Sequence, residues 1–164
     1  MHEAVTDFVG RHADTTGRVL ELGSRNINGS VRPLFVDAVD YVGVDPVDGP
    51  DVDIVGDGAT IELGYGSFDV VVCTEVLEHV DDDTALGIIR KAALHLASGG
   101  RFVMTCAGPG RGAHSAIDER PIRPCESYRN VDADTLAVWL ANAGFDRWEI
   151  DPLGADMRCI AWKD

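Results

Sequence analysis

The sequence predicts an α/β fold, a doubly wound and mostly parallel sheet of seven strands whose last strand runs antiparallel, with helices on both faces. Three observations lead there. Strand-like and helix-like segments alternate along much of the chain, as crossover connections between parallel strands require. Phe68-Asp69-Val70-Val71-Val72-Cys73 is almost continuously apolar and β-branched, the pattern of a strand covered on both faces. The connection Asp151-Pro152-Leu153-Gly154-Ala155 is too short for a parallel crossover, so the strands it joins, Phe145 to Ile150 and Met157 to Trp162, must pair antiparallel.

Taken in order, Val5, Phe8 and Val9 recur at helical spacing within His2 to Ala13, giving a short amphipathic helix laid on the sheet. Val19, Leu20 and Leu22 belong to the first strand. Gly23 permits a sharp turn, and Gly29-Ser30 leads into a helix over Val31 to Val36. Tyr41 to Asp45 is the second strand, ending in an acid followed by Pro46, and Val52 to Val55 is a short third that stops at Gly56-Asp57-Gly58. After the fourth strand, Asp81 to Asp83 supply the N-cap and acidic first turn of a helix from Thr84 to Ala97, with Leu86, Ile89, Ala93 and Leu96 on one face. Ser98-Gly99-Gly100 ends that helix, and Arg101 to Cys106 is the fifth strand. From Asp132 the helical period returns through Leu136, Trp139, Leu140 and Ala143, closed by Gly144. Met157 to Trp162 is expected at the edge of the sheet, open to pairing with a partner. Trp139, Trp148 and Trp162 fall on helix or strand patterns and read as packing residues.

With 164 residues, 45% of them hydrophobic, residues 1–164 suit a single domain with a real core. The net charge of −14 argues against a nucleic-acid backbone as partner, because such binding relies on lysine and arginine. No run of about 18 apolar residues occurs. Met-His-Glu-Ala-Val-Thr-Asp lacks the basic-then-apolar pattern of a leader, so a soluble, cytoplasmic protein without membrane contact is expected. Cys73, Cys106, Cys125 and Cys159 show no Cys-x-x-Cys spacing and read as reduced thiols.

An open parallel sheet binds its ligand at the carboxyl ends of the strands. The glycines of the first loop, Gly23 and Gly29, do not form a Gly-x-Gly-x-x-Gly run, and Glu21 stands at the strand end. That acid repels a pyrophosphate and attracts a ligand carrying an ammonium and a sulfonium. Asp45, 24 positions after Glu21, is close to the spacing at which an acid accepts hydrogen bonds from ribose hydroxyls. Asp57 between two glycines offers a carboxylate beside free amides, the pairing an adenine edge requires. Ala107 to Asn130 exceeds an ordinary connection, is rich in glycine, proline and arginine, and is read as the substrate wall.

Val-Leu-Glu-Leu-Gly at 19–23, Tyr-Val-Gly-Val-Asp at 41–45, Gly-Pro-Asp-Val-Asp-Ile-Val at 49–55 and Ser-Phe-Asp-Val-Val-Val-Cys-Thr-Glu-Val-Leu-Glu-His-Val at 67–80 occur together. The combination resembles class I S-adenosylmethionine-dependent methyltransferases, especially the methyltransferase type 11 group, with a Rossmann-like sheet. The resemblance covers residues 18–106 in motif detail and the rest in element order. It implies S-adenosylmethionine as cofactor, with Glu21 and Gly23 at its methionine end, Asp45 followed by Pro46 at the ribose, and Asp57 with Gly58 at the adenine. Thr74, Glu75 and Leu77 would meet the methionyl amino group and form the pocket floor. Ser24 and Asn26 are further contacts, and Arg25 is expected to point away from a cationic ligand.

Holding an acceptor in line with a reactive methyl donor is mostly positioning, with a base required only where the acceptor must lose a proton. His114 is the first choice for that base, and His79, at the end of the Glu-Val-Leu-Glu-His run, is the second. Asp118 and Glu119 are placed to orient His114. Asp118, Tyr128, Arg123 and Arg129, with His114, are candidates for substrate contact, the arginines through a carboxylate or phosphate. No metal is expected. The function that follows is methyl transfer to oxygen or nitrogen of a small molecule or sugar-like acceptor. The alternative is a non-catalytic methyltransferase-like domain with a binding or regulatory role, and an NAD-dependent oxidoreductase on the same plan is a third.

Overall fold

The computed structural model describes residues 3–118 and 120–164. In chain order its elements are α1 (Glu3–Gly10), β1 (Arg18–Leu22), β2 (Asp40–Asp45), β3 (Ile54–Val55), β4 (Phe68–Thr74), α2 (Asp82–His95), β5 (Leu96–Ala107), α3 (Ala133–Ala143), β6 (Arg147–Ile150) and β7 (Asp156–Trp162). Among the described residues the strands make one seven-stranded sheet in the order β3-β2-β1-β4-β5-β7-β6. The pairs from β3 to β5 are parallel, and β7 is antiparallel to both of its neighbours.

Alternation along the strands sorts the core into two layers. Leu20 and Leu22 of β1, with Val71, Cys73, Phe102 and Met104, face α2 and α3, where they meet Ile89, Leu136 and Leu140. Val19, Val70, Val72, Val103 and Ile160 face the other way, against Val5, Phe8 and Val9 of α1 and against Val31 and Phe35. Asp81 caps α2 by accepting from the Thr84 amide at 2.8 Å, and Asp132 caps α3 in the same way through Thr135 at 2.8 Å. Gly144 closes α3 in the left-handed conformation, φ 88°.

Four expectations change. The helix over Val31 to Val36 is a single 3-10 turn, Arg32–Leu34: the chain leaves the helical region at Phe35, where ψ is 56°, so the turn does not propagate. Val31 and Phe35 are buried from this turn while Val36 is exposed. The second helix ends at His95 rather than Ala97, because Leu96 is already extended and pairs with Phe68. The third strand shortens to two residues. Finally, Met157 to Trp162 is not an edge. β7 lies between β5 and β6, as its run from Met157 to Ala161, buried throughout, requires, whereas the alternating Arg147-Trp148-Glu149-Ile150 forms the exposed border. No helix among the described residues is long and apolar enough to cross a membrane.

Candidate active site

The carboxyl ends of β1, β2 and β4 open into a cavity of about 580 Å³, roofed by residues 111–118. The size is that of a cofactor site. Its walls are acidic at the base. Glu21, 2% exposed at the end of β1, accepts a hydrogen bond from the Tyr41 hydroxyl of β2 at 2.8 Å. Burial pushes its carboxyl up to about 7, against the opposing effects of the Tyr41 hydrogen bond and of Arg32. A group poised there changes charge readily when a cation arrives.

Gly23 leaves β1 with φ 86°, and its amide donates to the Val44 carbonyl at 2.8 Å. A β-carbon at this position would stand 2.2 Å from Cγ2 of Val76, so the close approach of two strand-end loops requires glycine. Ser24 follows, buried, with its Oγ lacking a hydrogen-bond partner and its side chain in the cavity wall. Asp45 joins the first two strand ends: Oδ2 accepts from the Arg25 amide at 3.2 Å and Oδ1 from the Val47 amide at 2.9 Å. Each oxygen keeps a second lone pair for a ligand hydroxyl. Pro46 and Val47 continue the wall.

On the other side, β4 runs into Thr74 and then Glu75, which has φ 57°. A non-glycine residue in that region costs on the order of 1–3 kcal/mol and persists only where its surroundings fix it. Here they do. The Glu75 amide donates to the Thr105 carbonyl at 2.8 Å, and Oε1 accepts from the Thr105 hydroxyl at 2.9 Å. Oε2 meets Nη1 of Arg111 at 2.9 Å, and the same guanidinium reaches Asp156 at 2.5 Å. Arg111 thereby fastens the start of the long loop to both β4 and β7.

The loop is held by its own side chains as well. Ser115 donates to Glu126 at 2.7 Å, and Glu126 also accepts from the Arg123 amide at 2.7 Å. The Arg129 amide donates to the Glu78 carbonyl at 2.9 Å. His79 and His114, both in the cavity wall, stand with ring centroids 5.1 Å apart, and Tyr128 packs edge-on against them at 5.5 and 4.9 Å. The His114 Nδ1 lies 3.1 Å from the Gly112 carbonyl, to which it can donate, so that Nε2 is the ring nitrogen not engaged by this carbonyl. Burial, followed by the charge of His114, holds His79 down to about 4, so it is neutral at pH 7. Beneath them Glu78 is fully buried, and burial with the neighbouring Glu75 carboxylate raises it to about 8; the nearby amides of Glu78 itself and Ala107 offset this only in part.

Of the residues expected from sequence, the fold brings Glu21, Gly23, Ser24, Asp45, Pro46, Thr74, Glu75, His79, His114 and Asp118 to one cavity. Others lie outside its wall. Asn26 ties its loop together, donating to Asp51 at 2.9 Å and accepting from the Gly29 amide at 2.9 Å. Asp57 is exposed and caps the following turn through the Ala59 amide at 2.8 Å, with Gly58 beside Leu22 and Ile88. Leu77 is core beneath the floor. Arg129 pairs with Asp82 and lies 4.6 Å above the Trp139 ring, anchoring the loop rather than facing the cavity. Tyr128 backs the two histidines instead of lining the space. Asp118 pairs with Arg123 and Arg120. Glu119 falls outside the described residues. Arg25 does not point away: it is part of the wall, with its stem against Gly49. Ser115 and Glu126 were not singled out for the site by sequence, and Arg111 stood out only as one of the loop arginines, with Arg120, Arg123 and Arg129, that could meet an anionic substrate group. Arg111, the first base after the Gly-Pro-Gly that ends β5, carried a positional signal, whereas Glu126 carried none.

Comparison with known proteins adds a family. A family described as methyltransferase domain matches residues 1–150. A ubiquinone biosynthesis O-methyltransferase of Xanthomonas euvesicatoria pv. vesicatoria is 37% identical over 87 residues, covering 48% of this chain and 36% of that protein. The chain thus spans about a third of the length of the curated relatives it matches. Among solved structures, the 1,6-didemethyltoxoflavin-N1-methyltransferase of Burkholderia thailandensis, with bound 1,6-didemethyltoxoflavin and S-adenosylhomocysteine, superimposes with a TM-score of 0.71 at 18% identity, over 99% of this chain and 78% of that one. The PH0226 protein of Pyrococcus horikoshii gives 0.76 at 14% identity, over 99% and 89%. At such identities these two structures speak to the fold.

Proposed function

Because the chain belongs to the family of S-adenosylmethionine-dependent methyltransferase domains, we propose that it moves a methyl group to oxygen or nitrogen of a small molecule or sugar-like acceptor. The observation that carries this is the ring of acids, Glu21, Asp45 and Glu75, set at the ends of three adjacent strands around a cavity. Bound there, S-adenosylmethionine supplies a methyl group already activated by a sulfonium. Glu21 and Glu75 favour its positive charges, the Asp45 carboxylate receives ribose hydroxyls, and the buried Ser24 hydroxyl, left without a partner, takes a polar atom of the ligand. Gly23 keeps the cradle open. The residues 111–118 close the acceptor side, and proton removal from an acceptor hydroxyl falls to the pair His79 and His114, both of which line the cavity.

Residues 1–164 are taken as one such domain. Its charge of −14 directs it to small acceptors rather than nucleic acid, and its reduced thiols suit the cytoplasm. Incubation with methyl-labelled S-adenosylmethionine and a panel of phenols, amines and sugars should give at least one labelled small product. Tight cofactor binding with no transfer to any acceptor would instead favour the non-catalytic reading.

Glu21 gives a pH test. Its folded-state pKa lies above the ordinary 4.5, so in the ligand-free protein its contribution to stability is complete below pH 4.5 and is lost as pH rises through about 7. The loss is on the order of 3 kcal/mol. A cationic ligand reverses the preference by favouring the carboxylate. At pH 6, S-adenosylmethionine binding is therefore expected to release about one proton, read as a dependence of the calorimetric enthalpy on buffer ionisation. In Glu21→Gln the release should vanish, and proton uptake by the native protein would contradict the assignment.

A further inference from the structure

We propose that Glu78, His79 and His114 form a binding site for a divalent transition-metal cation at the acceptor side of the cavity. One ligand atom from each of the three residues lies within 4.8 Å of the other two. Metal–ligand bonds of roughly 2.0–2.2 Å put neighbouring ligand atoms about 3–4 Å apart, so a small inward shift of the loop histidine completes the set. Two nitrogens and a carboxylate suit the first-row metals from manganese to zinc, and suit calcium or magnesium poorly.

A second observation points to a missing partner. Glu78 is 0% exposed, yet neither of its carboxylate oxygens makes a hydrogen bond of normal geometry, and Nδ1 of His79 is likewise buried without one. Buried carboxylates are paired, hydrogen-bonded or on a metal, because leaving one alone is costly. The three orphan atoms thus sit on two adjacent residues of one 3-10 turn, Leu77–His79, and both residues belong to the cluster with His114. The surroundings are those of a ligand set held in advance. Nδ1 of His114 is occupied by the Gly112 carbonyl at 3.1 Å, which directs the Nε2 lone pair elsewhere. Tyr128 wedges against both imidazoles, and the Arg129 amide pins the Glu78 carbonyl at 2.9 Å.

Because His79 and His114 also line the cavity, the remaining coordination positions of such a cation open toward it. A cation held there would lower the pKa of an acceptor hydroxyl bound to it, so that the proton could pass to water in the cavity, and His114 would then be a ligand rather than the base. That consequence rests on the methyl-transfer reading above; cation binding itself does not.

The test uses the whole chain, freed of metal with a chelator and titrated with Co²⁺, followed by visible absorption and calorimetry. One equivalent should bind, with absorption bands of a nitrogen-containing site, and Glu78→Gln and His114→Ala should each weaken it at least tenfold. S-adenosylhomocysteine is titrated into every sample as a separate readout of fold and cofactor site. Loss of Co²⁺ binding with unchanged S-adenosylhomocysteine affinity in Glu78→Gln, whose side chain lies beneath the cavity wall, supports the site. No stoichiometric Co²⁺ binding, or binding equally strong in both variants, overturns it, whatever the cofactor result. Failure of S-adenosylhomocysteine to bind the native protein would instead count against the methyltransferase reading and leave the Co²⁺ result standing.

Discussion

Asp45→Ala is expected to lower the affinity for S-adenosylmethionine about 100-fold or more, the largest effect of any single change in the site. The carboxylate serves twice. It accepts from the Arg25 amide at 3.2 Å and from the Val47 amide at 2.9 Å, so it holds the loops after β1 and β2 in register, and it offers its remaining lone pairs to ligand hydroxyls. Hydrogen bonds to a charged group contribute roughly 1.5–3 kcal/mol each, so losing the ligand hydroxyl contacts alone reaches two orders of magnitude. Asp45→Asn keeps one acceptor oxygen and should fall between. Calorimetric titration of the three proteins reads this directly, and an alanine variant binding within a few-fold of the native protein would remove Asp45 from the ribose.

The second large effect concerns stability. A β-carbon on Gly43 would stand 2.3 Å from the backbone oxygen of Asp51 and 2.6 Å from Oγ of Ser24. Backbone cannot rotate aside as a side chain can. The Gly43 amide and carbonyl are also committed, to the Asp53 carboxylate at 2.7 Å and the Asp53 amide at 2.9 Å. Overpacking of this kind costs about 2–3 kcal/mol, and Gly43→Ala should shift the urea midpoint down by roughly 1 M. Cofactor affinity should fall with it, because the displaced Ser24 lines the cavity. Gly10→Ala, where the added atom meets nothing within 4 Å, is the control and should leave the midpoint in place.

The parts of this molecule that were legible in sequence are those where local pattern and burial agree. Phe68 to Thr74 could only be a central strand, and Asp81 and Asp132 cap helices because a short acid before a helical run has free amides to meet. Glu21 and Asp45 stood out for a related reason, each closing an apolar strand in a topology where strand ends meet, whereas Glu75 came only with the family resemblance; all three line the cavity. What local pattern did not carry was three-dimensional adjacency. Val31 and Phe35 have helical spacing, but they are buried from a single 3-10 turn that ends at Phe35. Arg129 looks like a substrate cation in sequence, and only the fold puts Asp82 and Trp139 against it. His79 and His114 lie far apart along the chain, and they become neighbours because Arg111, Ser115 and Glu126 fold the loop back over β4.

The most direct measurement is a calorimetric titration of the native protein with S-adenosylhomocysteine, run beside NAD. A single saturable site for S-adenosylhomocysteine, weakened about 100-fold in Asp45→Ala, with no binding of NAD, is the predicted result. No S-adenosylhomocysteine binding at millimolar concentration, or NAD binding that survives Glu21→Ala, would contradict the account at its centre.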